Sequence, residues 1–128
     1  MKPSPGDLKI AVVGPCASGK STLARQLQQQ GYAIRAVSQE HSCVPDMWRR
    51  VSATDVLIYL DATLETIAQR RSITWGQARL DALNHRLRHA RAHTDFYLPT
   101  DGLSPGEVAR RVTAFLTSTK GVTGKGVA

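Results

Sequence analysis

Hydrophobic positions switch between a two-residue and a helical period along the chain. Leu8 to Val13 (LKIAVV) is a short apolar run, rich in β-branched residues and broken by one lysine, that ends at Gly14; it predicts a buried strand. Ser21 to Gln30 (STLARQLQQQ) predicts a helix, and Gly31 stands where a left-handed cap is expected. Tyr32 to Val37 predicts a second strand. Ser38 to Asp55 is a polar loop with one short helix after Pro45, its inner side carrying Met47, Trp48 and Val51. Val56 to Leu60 (VLIYL) is the most apolar run and predicts a central strand, ended by Asp61. Thr63 to Arg71 predicts a helix with Leu64, Ile67 and Ala68 at core spacing. Trp75 to His93 predicts a longer one, seamed by Leu80, Leu83, Leu87 and Ala90. Phe96 to Leu98 starts a last strand, stopped by Pro99. Ser104-Pro105-Gly106-Glu107 is a capping box that opens a final helix through Leu116.

Residues 1–7 form a Pro/Gly-rich leader, and residues 117–128 carry no core pattern and are expected to fray. A single domain over residues 8–116 follows. Strands alternating with helices imply a three-layer α/β fold with a mostly parallel sheet of four to five strands and right-handed crossovers. Ligands of such sheets sit beyond the carboxyl ends of the strands. Gly14 to Ser21, Gln39 to His41, Asp61 and Thr100 to Leu103 should gather at that edge.

Between the first strand and helix lies GPCASGKS, which matches G-x-x-x-x-G-K-[ST] at Gly14, Gly19, Lys20 and Ser21. Polyphosphate binding explains each fixed position. Glycines let main-chain N–H groups close on a phosphate, and the helix start adds unpaired N–H groups and a positive dipole end. Lys20 can bridge the β- and γ-phosphates, and the Ser21 hydroxyl can ligate Mg²⁺. The expected nucleotide contacts are Gly14, Cys16, Ala17, Ser18, Gly19, Lys20, Ser21 and Thr22.

The net charge of +7 permits contact with nucleic acid, but a nucleotide cleft also needs cations, so charge alone does not choose. Cys16 and Cys43 form neither a metal-ligand spacing nor a disulfide framework; Cys16 reads as a small tolerated side chain or a redox switch. No apolar run approaches the roughly 18 residues of a membrane span, and no secretory signal precedes Leu8, so a cytoplasmic location is expected.

With GPCASGKST, IYLDATLETIAQRR and HARAHTDFYLPTDGLSPGEVARRV, the chain resembles the P-loop kinases, in particular those of the shikimate, gluconate and adenylate kinase type. The resemblance implies ATP and Mg²⁺ as cofactors and γ-phosphoryl transfer to a small acceptor. It also implies that the second block holds the first lid arginines and the third an adenine-touching loop. The Ser38–Asp55 interval is shorter than in that family, and Gln39-Glu40-His41 stands where D-x-D is often found.

Three roles remain to be filled. Glu40 could orient or deprotonate an acceptor, hold the Mg²⁺ water shell, or be a solvated loop carboxylate. Asp61, ending V-L-I-Y-L-D, reads as a Mg²⁺-side carboxylate or a structural one. Arg71 is the expected charge-stabilising finger, and Arg91 the long-helix arginine best placed to reach inward; Arg70, Arg79, Arg86 and Arg88 read as a solvated basic face. His85, His89 and His93 share a helical stripe, which reads as a solvent-facing polar face more readily than a Zn²⁺ site. His41 reads as a loop residue. The alternatives to a kinase are a nucleotide-binding module with slow hydrolysis, or a nucleic-acid-stimulated kinase or ATPase.

Overall fold

In the computed structural model, which describes residues 8–51 and 53–118, four strands form one sheet. β1 (Lys9–Val13), β2 (Ala33–Ala36), β3 (Val56–Asp61) and β4 (Phe96–Pro99) lie in the order β2-β1-β3-β4, every pairing parallel. The helices are α1 (Lys20–Gln29), α2 (Met47–Arg50), α3 (Leu64–Arg70), α4 (Gln77–Arg86), α5 (Arg88–Ala92) and α6 (Pro105–Ser118); a 3₁₀ turn spans Gln39–His41. Among the described residues, no helix is long and apolar enough to cross a membrane.

Alternate residues of the central strands feed two apolar clusters, as the two-residue period of a strand requires. Ile10, Val12, Ile58 and Leu60 pack with Leu23 and Leu27 of α1 and Val108 and Val112 of α6. Ala11, Val13, Leu57 and Tyr59 pack on the opposite face with Trp48, Leu87 and Ala90. Ala62, Ile67 and Leu80 make a third, smaller cluster that Ala17 and Trp75 adjoin. Both sheet faces are therefore covered, and the carboxyl ends of β1 and β3 stay free for loops.

The punctuation behaves as its chemistry demands. Gly31 takes φ +96 after α1, where Gly31 and Tyr32 N–H groups return to the Gln28 and Leu27 carbonyls. Ser104 N–H donates to Glu107 Oε1 at 3.0 Å and Glu107 N–H to Ser104 Oγ at 3.1 Å, closing the capping box of α6. Thr63 caps α3 by accepting from the Thr66 amide.

Several expectations change. The Trp75–His93 helix is two helices, α4 and α5, because Leu87 (φ −94, ψ 0) donates its N–H to Asn84 three residues back. The seam survives the break, since Leu80, Leu83, Leu87 and Ala90 are all buried. Val51 is 54% exposed because α2 ends before bringing it inward, and Ala68 is exposed while Thr66 takes the inner position. α6 continues through Thr117 and Ser118. The expectations for residues 1–7 and for the tail past 118 lie outside the described residues.

Candidate functional site

The loop joining β1 to α1 needs its glycine at Gly14. A Cβ there would overlap the Leu60 carbonyl oxygen and sit 2.8 Å from Ser18 Oγ, and φ is +151. Ala17 (φ 60) and Gly19 (φ 107) also take left-handed backbone, Ala17 being the one non-glycine with positive φ among the described residues. Alternating handedness turns successive amides to one side, the geometry of an anion-binding nest. Such strain in an alanine persists where its surroundings over-determine it. Ser18 is buried and its Oγ has no hydrogen-bond partner.

Lys20 turns back over this loop. Its ammonium donates to Gly14 O (2.8 Å), Pro15 O (3.2 Å) and Glu40 Oε2 (2.8 Å), which uses its three N–H bonds. Glu40 is delivered by the 3₁₀ turn after β2, and that turn is fastened by Gln39. Gln39 is fully buried; its amide donates to Val44 O and Arg86 O, and its Oε1 accepts from Trp48 N–H at 2.8 Å. Cys16 Sγ lies 3.5 Å from His41 Nε2 and 4.0 Å from Glu40 Oε2, so the two loops following the neighbouring strands β1 and β2 meet at their tips.

On the other flank, Thr100 ties three segments together. Its Oγ1 is 3.0 Å from both Ser18 O and Asp61 O and also accepts from Arg70 Nη1. Arg70 further donates to Ala17 O (2.9 Å) and Thr100 O (2.6 Å). The expectation of a solvated face is thus corrected for Arg70, which clamps the β1–α1 loop to the end of β4. Nothing in its sequence context marks it apart from Arg71.

Two pockets flank the loop. One, of about 250 Å³, is lined by Leu23, Leu103, Pro105 and Val108 on its apolar side and by Arg70 and Thr100. The other, of about 270 Å³, is polar, with Lys20, Ser21, Ser38, Glu40 and His41. Ala17, Gly19, Thr22 and Arg71 line both.

Asp61 and Arg91 line neither pocket. Asp61 Oδ1 accepts from the Ala62 amide and Oδ2 from the Tyr97 hydroxyl. Arg91 stacks 4.8 Å over Tyr97 and 5.8 Å over Tyr59, with Nη1 3.7 Å from Asp61. Burial, then the Asp61 hydrogen bond and charge, push Tyr97 up to about 12. Burial, then the charge of Asp61, also raise Tyr59, and Arg91 opposes the shift.

The histidine stripe does not simply face solvent. Trp48 Nε1 donates to His89 Nδ1 at 3.1 Å, and His89 and His93 stack at 4.2 Å, because the short helix α2 lays Trp48 against α5. Burial, then the neighbouring His93 and Arg49, lower the His89 pKa. Sequence reasoning placed Gln39 and Thr100 at this edge but not the hydrogen bonds by which they fasten it, and it missed the Cys16–His41 contact. Only the parallel pairing of β1 with β2 would have signalled the last. No protein-family model matches the chain, and no curated protein sequence matches it.

Proposed function

We propose that the chain is a three-layer P-loop domain of kinase type that binds ATP with Mg²⁺ and transfers the γ-phosphoryl group to a small acceptor. One observation carries this reading: an apolar pocket and a polar pocket meet at Ala17 and Gly19 of the turn that matches the P-loop motif, with Thr22 of α1 and Arg71 at the end of α3 lining both. The apolar pocket suits a base and ribose. The polar pocket suits the γ-phosphate and an acceptor.

The left-handed backbone at Ala17 and Gly19, which turns the loop amides to one side, fits close approach of main chain to phosphate. Lys20 meets the phosphates by exchanging Glu40 for them. Glu40 then takes the proton of the acceptor hydroxyl as its oxygen bonds to phosphorus and the β–γ bridging P–O bond breaks, releasing ADP. Arg71, lining both pockets, neutralises charge at the transferring oxygens. Ser21, which lines the polar pocket, would hold Mg²⁺. That ion would supply charge neutralisation to the triphosphate. Arg91 could join only by leaving Tyr97. A cytoplasmic location belongs to the same proposal.

A second reading, a nucleotide-binding module without an acceptor, is favoured by the Lys20–Glu40 ion pair, which already occupies the proposed base. Labelled ATP with pooled small-molecule acceptors separates the two. Acceptor-dependent ADP release is the expected result, and release indifferent to every acceptor would leave the module. Stimulation by oligonucleotides that fades with salt would instead favour the nucleic-acid alternative that the +7 charge allows. ATP affinity unchanged in Lys20→Ala would remove all three.

A further inference from the structure

The carboxylate at the lip of the polar pocket has neighbours that phosphoryl transfer does not use. Cys16 Sγ, Glu40 Oε2 and His41 Nε2 lie within 4.8 Å of one another. We propose that Cys16, Glu40 and His41 form a binding site for a thiophilic divalent cation of the Zn²⁺ class, separate from the Mg²⁺ that accompanies a nucleotide.

The geometry matches what such an ion demands. A tetrahedral Zn²⁺ with Zn–S of about 2.3 Å and Zn–N and Zn–O of about 2.0–2.1 Å holds its ligand atoms about 3.3–3.6 Å apart. The observed separations are 3.5 Å for Sγ to Nε2, 3.8 Å for Nε2 to Oε2 and 4.0 Å for Sγ to Oε2. The excess over the tetrahedral values is at most about 0.5 Å. Thiolate, imidazole and carboxylate form a donor set for Zn²⁺ or its relatives, whereas Mg²⁺ takes oxygen ligands.

An independent observation points to a ligand here. The Glu40 side chain is only 4% exposed, yet its Oε1 has no hydrogen-bond partner. A buried carboxylate offers about four lone-pair sites, and Lys20 occupies one. An unmet acceptor at such depth is costly, and it leaves this carboxylate with acceptor capacity beyond its bond to Lys20. Charge also closes. Binding displaces the Cys16 thiol proton to solvent, so thiolate and carboxylate balance the dication. Lys20 then remains as one excess positive charge beside the phosphate cradle. Three protein ligands leave a fourth position for water or an anionic ligand.

The site also joins two loops. Cys16 belongs to the P-loop and Glu40 and His41 to the 3₁₀ turn after β2, so one ion would staple the tips following β1 and β2. The spacing of the two cysteines hides this, because the ligands come from loops far apart in sequence.

Co²⁺ titrated into the full chain without nucleotide tests the proposal. The expected spectrum has visible bands of four-coordinate intensity and a near-ultraviolet thiolate-to-cobalt band, all abolished by Zn²⁺. Zn²⁺ should also raise the melting temperature, and Mg²⁺ should not. Cys16→Ser should lose the charge-transfer band, while Cys43→Ser keeps it. His41 is half exposed, so His41→Ala should fold even if Cys16→Ser does not. It should bind Co²⁺ at least about tenfold more weakly, the scale reached by disturbing even outer-shell partners. No thiolate band in the unmodified protein, a band that persists in Cys16→Ser, or undiminished affinity in His41→Ala would overturn the site. None of these readouts involves nucleotide, so failure here leaves the kinase reading standing, and failure of ATP binding leaves the metal site standing.

Discussion

Lys20 and Glu40 form a 2.8 Å ion pair whose side chains are only 10% and 4% exposed, bridging the start of α1 to the turn after β2. Breaking such a pair by truncating one member strands the other charge, at about 3–5 kcal/mol. Glu40→Ala should therefore lower denaturant stability by about 3 kcal/mol. Glu40→Gln keeps the shape and the Lys20 contacts to Gly14 O and Pro15 O, and should cost less. It also removes the carboxylate that competes with phosphate for the ammonium. ATP affinity should then rise by about threefold to tenfold, about 1 kcal/mol, while acceptor-dependent turnover falls. Calorimetric titration with a non-hydrolysable analogue checks the first, and the labelled-ATP assay the second; weaker analogue binding would mean that Glu40 does not restrain Lys20.

Two glycines with left-handed backbone should respond very differently to alanine. At Gly14 a Cβ collides with the Leu60 carbonyl and crowds Ser18 Oγ, so β3 would have to part from the loop. Gly14→Ala should cost more than about 3 kcal/mol or prevent folding. At Gly31 a Cβ meets nothing within 4 Å, leaving only the φ of +96 to oppose it. Gly31→Ala should cost about 1–2 kcal/mol. Paired urea titrations measure the contrast, and equal losses would show that backbone strain alone governs both.

How much of this was legible beforehand depends on the kind of signal. Apolar runs such as Val56 to Leu60 and seams such as Leu80 to Ala90 report burial directly, and the capping box at Ser104 and Glu107 is local chemistry within one turn. These were readable. Gln39, Thr100 and Arg70 owe their roles to hydrogen bonds with main-chain atoms distant in sequence, for which no spacing rule exists. The break at Leu87 involves neither glycine nor proline and leaves the hydrophobic seam unchanged, so periodicity could not register it. Arg91 does fall beside the seam, but its partners are Tyr97, Asp61 and the Tyr59 ring, which enter from the sheet.

Neighbouring arginines should separate cleanly. Arg70 holds Ala17 O and both oxygens of Thr100, and removing it deletes three charge-assisted hydrogen bonds that tie the loop to the end of β4. Arg70→Ala should cost about 2 kcal/mol, and Arg70→Lys should recover only part, since an ammonium cannot span the same fork. Arg71 is exposed and lines both pockets. Arg71→Ala should change stability by less than about 0.5 kcal/mol yet weaken ATP binding about tenfold, or about 1.4 kcal/mol. Melting curves and analogue titrations on both variants provide the comparison, and a reversed pattern would exchange their roles.

The Trp48–His89 contact predicts an acid-sensitive optical signal. The indole N–H is a donor only, so His89 Nδ1 must accept, and the neutral ring carries its proton on Nε2. Protonation of Nδ1 would set two donors against each other. Burial, His93 and Arg49 all hold the folded-state pKa of His89 below its ordinary 6.5. Asp46 opposes them more weakly, itself held low by its hydrogen bond to Arg50. Because the unfolded chain takes up the proton first, stability contributed by neutral His89 is fully present above about pH 6.5. It declines as pH falls from there towards the folded pKa. Trp48 fluorescence should therefore change with a midpoint below pH 6.5, and urea midpoints should drop over the same interval. His89→Phe should flatten both responses, with Trp75 supplying a constant background. A fluorescence midpoint above 6.5 would mean that His89 is stabilised as the cation and that Trp48 does not donate to it.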